Sequence, residues 1–289
     1  MNPFSIVNYY LRLTIRLSFT LLFFILTPDL FGQKIYEGVV KDKLTNEAIR
    51  YVNIGVLNKD IGTVSDNEGK FKISLSEQNN NDSLRLSIVG YKSRQFRVSD
   101  FKAMIVYDKE IKLEEEITKL SEVVVLSKKT KEQIEGNKTE SKKFRGGFTN
   151  SELGNELGII INIKKRPTYI KDFNAFIVEN TSDSMIFRLN FYDLKKGLPG
   201  DRINTEQIIF PIRTKNGKFT FDLSSYNIVM TNDFFVSLEL IENFGQRSKK
   251  GILFSAGLLG SSFITRETSQ GTWKKYKAIS LGFNVTTEY

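Results

Sequence analysis

Residues 62–75 read GTVSDNEGKFKISL, and the fold class follows from how this stretch alternates. Phe71, Ile73 and Leu75 fall at every second position, with Lys70, Lys72 and Ser74 between them. That is the period of a strand with one face buried and the other wet. Just before it, Asp66-Asn67-Glu68-Gly69 has the chemistry of a tight turn. An Asp carboxylate there accepts backbone N–H groups, and Gly tolerates positive φ. The pattern predicts that Gly62–Ser65 and Lys70–Leu75 pair as a hairpin. Asp66, Asn67 and Glu68 also carry oxygens at a spacing that suits Ca²⁺, but the other ligands of a calcium loop are missing.

Working outward, strand-length runs recur at Ile35–Val40, Tyr51–Leu57, Leu84–Val89, Gln95–Val98, Met104–Leu113 and Val123–Leu126. Turn signals at Lys41-Asp42, Thr45-Asn46, Asn58-Lys59-Asp60 and Gln78 to Ser83 separate them. With Phe71–Leu75, these runs predict a seven-strand antiparallel sandwich over residues 33–126, with no long amphipathic helix. Gly90 before Tyr91 suits a bend, with the Tyr ring covering one end of the sandwich.

Four segments in this region are distinctive in order and content. They are Gly38-Val39-Val40-Lys41-Asp42, Ala48-Ile49-Arg50-Tyr51-Val52-Asn53-Ile54, Gly62 to Phe71, and Leu84 with Ile88-Val89-Gly90-Tyr91. Together they resemble the carboxypeptidase regulatory-like domain, a transthyretin-like sandwich that precedes many outer-membrane receptors of Bacteroidota. Leu120-Ser121-Glu122-Val123-Val124-Val125 resembles the segment that leads from such a domain into a TonB-dependent plug. The resemblance implies a scaffold or docking module. In carboxypeptidases the domain is an accessory to a zinc peptidase whose ligands include His, and this sequence contains none.

Composition narrows the chemistry further. With no His and no Cys, Ser-His-Asp sites, thiol nucleophiles, thiolate or His-ligated metal sites and disulfides are all excluded. Paired carboxylates and a Ser-Lys dyad remain open, so an unrecognised carboxylate hydrolase is one reading. No cofactor or metal site is indicated, and the chain reads as non-catalytic. The formal charge is +9, which suits an anionic partner or none.

The first residues place that partner outside the cytoplasm. Arg12 and Arg16 precede an apolar core, Leu17 to Leu26, that Thr27-Pro28-Asp29 ends. A helix of that length reaches about 15 Å, against about 30 Å of hydrocarbon. The order is that of a secretory signal over residues 1–32, leaving Gln33 as the new N-terminus and a charge of +8 once Arg12, Arg16 and Asp29 are gone. Export argues against nucleic acid as a partner, and no transmembrane span is expected after cleavage.

Residues 127–147 hold six Lys and one Arg against three Glu with few large apolar groups, and read as a basic flexible linker. No large barrel follows it, so a receptor's transport role is not implied. Residues 148–289 resemble the C-terminal part of stand-alone flavobacterial proteins that pair this sandwich with a second β-domain. The strand-like runs are Leu157–Ile163, Phe173–Val178, Met185–Tyr192, Gln207–Phe210, Lys218–Leu223, Asp233–Ile241, Ile252–Ser255, Ser262–Thr265 and Ala278–Thr286. They predict a second, jelly-roll-like sandwich, with Asn216-Gly217 as a hairpin turn. In Met185–Tyr192, Ile186, Arg188 and Asn190 face one way and Phe187, Leu189 and Phe191 the other.

The aromatic residues Trp273, Tyr276, Tyr226 and Tyr192 are candidates for sugar contact, although a ring with a polar handle serves equally as a lid on a sandwich. Asp82-Ser83-Leu84 and Asp183-Ser184-Met185 resemble a Bacteroidota O-glycosylation signal, which makes Ser83 and Ser184 candidate modification sites. The expectation is an all-β, exported accessory protein, in the periplasm or at the outer membrane and cell surface, that docks an envelope protein or glycan. A carbohydrate-binding module at the surface is the alternative.

Overall fold

The computed structural model describes residues 32–116, 131–149, 152–182, 185–243, 251–258 and 262–289. The protein is all-β, with two sandwiches. The first contains β1 (Lys34–Asp42), β2 (Asn53–Val56), β3 (Gly62–Val64), β4 (Lys70–Leu75), β5 (Ser83–Ser87), β6 (Arg94–Arg97), helix α1 (Val98–Tyr107) and β7 (Glu110–Leu113). A three-stranded sheet in the order β4-β1-β7 faces a four-stranded sheet in the order β3-β2-β5-β6. Between them Val40, Phe71, Ile73, Leu75, Ile54, Val56, Leu84 and Leu86 are buried, and Phe101 and Ile105 of α1 close the core.

Two expectations for this sandwich need correction. Met104–Leu113 is not one strand, because its first part completes α1. Val98, Phe101 and Ile105 repeat at helical spacing and bury one side, as does the stem of Lys102. The Lys102 ammonium reaches back to donate to the Ser76 carbonyl (2.7 Å) and to Asn80 Oδ1 (2.8 Å). The turn at residues 66–69 forms as expected: Asp66 Oδ1 accepts from the N–H groups of Glu68 (2.9 Å) and Lys70 (2.8 Å), and Gly69 has φ +72°. It joins the two sheets instead of closing a hairpin ladder, since β3 pairs with β2 and β4 with β1. Gly90, at φ +87°, makes the expected bend before Tyr91, whose ring packs on the core edge. Residues 1–31, the run Val123–Leu126 and Ser184 lie outside the described residues.

The second sandwich contains β8 (Glu132–Gly136), β9 (Phe144–Thr149), β10 (Glu156–Ile161), β11 (Thr168–Asn180), β12 (Met185–Lys195), β13 (Leu198–Arg202), β14 (Ile208–Pro211), β15 (Gly217–Asp222) and β16 (Val229–Met230). It continues with β17 (Phe234–Asn243), β18 (Gly251–Leu258), β19 (Phe263–Arg266), β20 (Lys274–Tyr276), β21 (Ile279–Leu281) and β22 (Phe283–Glu288). One sheet runs β13-β12-β17-β10-β19-β20, with β14 also on β12. The other runs β21-β18-β11-β22-β8, with β15 and β16 on β11 and β9 on β18. Phe187, Leu189 and Phe191 of the first sheet meet Phe173, Phe254 and Phe283 of the second in one buried core.

The described part of the expected flexible linker holds two strands, and residues 127–130 lie outside the described residues. Its residues 132–136 and 144–147 are strand, in β8 on β22 and in β9 on β18. An edge strand gains its place through ladder hydrogen bonds and so needs little apolar surface of its own. Asn216-Gly217 is likewise no hairpin, since β14 and β15 belong to different sheets; the pair turns a corner, with Gly217 at φ +94°.

Candidate functional site

The alternation in β12 is as expected, but its polar side is not wet. Arg188 and Asn190 are 1% and 0% exposed. The first sheet of the second sandwich turns that face toward β2 and β3 of the first sandwich. The register sets a line of charge across four strands: Arg188 lies opposite Glu239, Glu239 opposite Glu156, and Glu156 opposite Arg266. Two carboxylates side by side repel. Here a guanidinium flanks each, with Arg188 Nε 3.4 Å from Glu239 Oε2 and Arg266 Nη2 2.5 Å from Glu156 Oε2. Arg202 of β13 adds a third cation, 3.6 Å from Glu239.

Neutral donors join the row. The Asn190 amide donates to both carboxylates, at 2.9 Å to Glu156 and 2.8 Å to Glu239, and Ser237 Oγ donates to Glu156 at 2.5 Å. The Tyr192 hydroxyl donates to Glu156 (3.2 Å) while accepting from Arg202. Burial raises the Glu239 carboxyl's pKa, but Arg188, Arg202 and Arg266, with the Asn190 hydrogen bond, outweigh it and hold the group below its ordinary value. Burial, with Glu156 and Glu239, pushes the Tyr192 phenol up to about 12 against Arg202 and Arg266.

The first sandwich supplies the rest. Asn53 Nδ2 of β2 donates to Glu239 Oε1 (2.5 Å). Tyr51 has φ +61°, a strained value for a bulky residue. Both of its ends are anchored in the second sandwich: its carbonyl accepts from Arg188 Nη2 (2.8 Å) and its hydroxyl donates to Glu242 (2.6 Å). Tyr51, Val64 and Ile241 form a small apolar cluster across the junction. The segment after β19 completes it. A Cβ on Gly55 or Gly62 would lie 2.1 or 2.5 Å from the Ser269 carbonyl oxygen, so only glycine admits this contact.

The arrangement joins two domains and leaves no opening for acid-base chemistry. Glu156 and Glu239 are both 0% exposed, and every carboxylate oxygen of the pair faces a donor of the protein. Sequence reading paired Arg188 with Asn190 correctly and had no signal that the opposing surface lies in β2, far back in the chain.

The sequence candidates do not converge. Trp273 packs edge-on against Tyr192 (5.7 Å) and Phe235 (5.3 Å), with the Arg266 guanidinium 4.5 Å from its ring centre, and so caps the end of the charge row. Tyr276 stacks on Phe263 at 4.8 Å and is 46% exposed. Tyr226 lies against Phe221, beside the other sheet. Ser83 opens β5 opposite Arg97. Among the described residues no helix is long and apolar enough to cross a membrane.

Comparison with known proteins agrees with the first sandwich. Residues 36–125 match the CarboxypepD_reg-like domain. No curated protein matches the chain. Two solved structures of infectious bursal disease virus, of the Gx and Gt strains, align with 91% of this chain at 13% and 12% identity. The chain spans 66% and 65% of their chains, with TM-scores of 0.23 and 0.24, a likeness too slight to bear on fold or role.

Proposed function

We propose that the protein is an exported, non-catalytic accessory protein of a bacterial cell envelope, in which a regulatory-type sandwich and a second sandwich dock together to an envelope partner. One observation carries this reading. Glu156 and Glu239, side by side in the sheet, are fully buried and committed, with three arginines, to the junction between the sandwiches. Such a junction supports a shaped, two-part binding unit. Strand edges remain for the partner: β4, an edge of its sheet, presents Lys70, Lys72 and Ser74 to water. The residues 1–32 pattern and the resemblance of the first domain to receptor-associated modules support an envelope location, periplasmic or at the surface.

Fractionation of the source bacterium followed by N-terminal sequencing tests the reading. The expected product is in the envelope fraction and starts at Gln33. Recovery from the cytosol with residues 1–32 intact would overturn it. Turnover of an envelope glycan or peptide by the purified protein would overturn its non-catalytic part.

A further inference from the structure

The outer face of the second sandwich's other sheet carries a half-open groove of about 200 Å³. It crosses β15, β11, β22 and β8, and the segment 138–140 walls one end. We propose that this groove binds one ring of an acidic saccharide, with Asn174, Asn284 and Phe176 contacting the ring and Lys138 and Lys218 its carboxylate. The proposal does not rest on the docking reading above and uses a different surface from Trp273 and Tyr276.

The floor has the chemistry of a sugar site. Asn174, 1% exposed, accepts from Thr220 Oγ1 (2.8 Å) and donates to Thr286 Oγ1 (3.1 Å). That chain fixes the orientation of the amide beneath the groove. Asn284 Nδ2 donates to the Asn137 carbonyl (3.2 Å), which ties the groove floor to its wall. Phe176, next along the outward side of β11, is half-buried and offers an apolar patch for the C–H face of a ring. Fixed amides beside one apolar surface are the few well-placed polar groups and hydrophobic lining that small-ligand sites use.

Charge distinguishes the two ends. Beyond the groove on the same face, Lys171 is held by Glu132 (2.5 Å) and Glu288 (3.1 Å). At the walled end Lys138 and Lys218 are exposed and form no ion pair among the described residues, and Glu140 is the one acid lining the groove. The rim is therefore net positive where a ligand's anion would sit. Size and place favour a saccharide over a peptide. The volume suits one ring and falls below the roughly 300–1,000 Å³ of drug-sized pockets. A sheet face has its backbone groups committed to ladders, whereas an extended peptide needs a free edge.

Titration calorimetry of the protein purified after export, with trigalacturonate, maltotriose and triglutamate as probes, tests the site. The expected result is trigalacturonate binding at least about tenfold tighter than maltotriose, weakening with salt. The double variant Lys138→Gln/Lys218→Gln should remove about tenfold of that affinity while leaving the urea midpoint unchanged. No heat with trigalacturonate, an undiminished affinity in the double variant, or equal binding of triglutamate would each overturn the proposal.

Discussion

Glu239 is shut off from bulk solvent. Its two oxygens rely on Arg188, Arg202, Asn190 and Asn53. Removing the charge by Glu239→Gln strands at least one guanidinium in the interior, where an uncompensated partner costs about 3–5 kcal/mol. The expected outcome is a urea midpoint lowered by that amount over the slope. A loss below about 1 kcal/mol would show that water reaches the junction. Tyr51 makes a separate test. Tyr51→Phe deletes one hydrogen bond to a carboxylate, worth about 1.5–3 kcal/mol. Its phenol is pushed up to about 12, first by burial and then by the Glu242 hydrogen bond. In the unfolded chain the group ionises near 10, so the unfolded state loses its proton first as pH rises. The stability tied to this phenol is therefore complete below pH ~10 and is lost between about 10 and 12. Urea midpoints across that range should fall less steeply in Tyr51→Phe, and an unchanged slope would deny the burial argument.

Between elements, the contact of β2 and β3 with the Ser269 segment depends on missing side chains. Gly55→Ala puts a methyl group about where the Ser269 carbonyl oxygen lies, 2.1 Å from it. The strand and the segment must separate, at the 1–3 kcal/mol typical of overpacking. Gly90→Ala is the control. It has open space around the new methyl, so only its φ of +87° counts, about 1 kcal/mol. Comparable unfolding midpoints for the two variants would show that the strand-to-segment contact is loose.

Elements also show how much of this was legible beforehand. Phe71, Ile73 and Leu75 announce β4 because a half-buried strand alternates whatever it pairs with. Pairing is less visible: the turns at residues 66–69 and 216–217 have hairpin chemistry and join different sheets. β8, with Ile134 its one large apolar residue, resembles a linker because its place comes from backbone bonds to β22. Arg188 and Asn190 look like a solvated face, since their cover, Tyr51 and Asn53, comes from a distant part of the chain.

At the scale of the whole molecule, the junction decides whether two sandwiches unfold as one. The second sandwich alone would present Arg188, Glu239 and Glu156 to water, which hydrates them at no great cost. It would also lose the cover over Ile241 that Tyr51 and Val64 provide. Separate melting thus forfeits apolar contact and the Asn53 and Tyr51 bonds while regaining hydration of the charges. The balance favours coupling if the bonds across the junction act together, which a double-mutant cycle of Asn53→Ala with Glu239→Gln measures. Groups in one buried network couple by about 0.5–3 kcal/mol, and independent ones by less than about 0.5. Coupling in the upper part of that range should appear in calorimetry as a single transition whose van't Hoff and calorimetric enthalpies agree. In Glu239→Gln that transition should broaden or split, because the mutation weakens the joint while leaving both cores filled. Two resolved transitions in the unmodified protein would mean that the charge row orders the junction without binding the sandwiches into one folding unit.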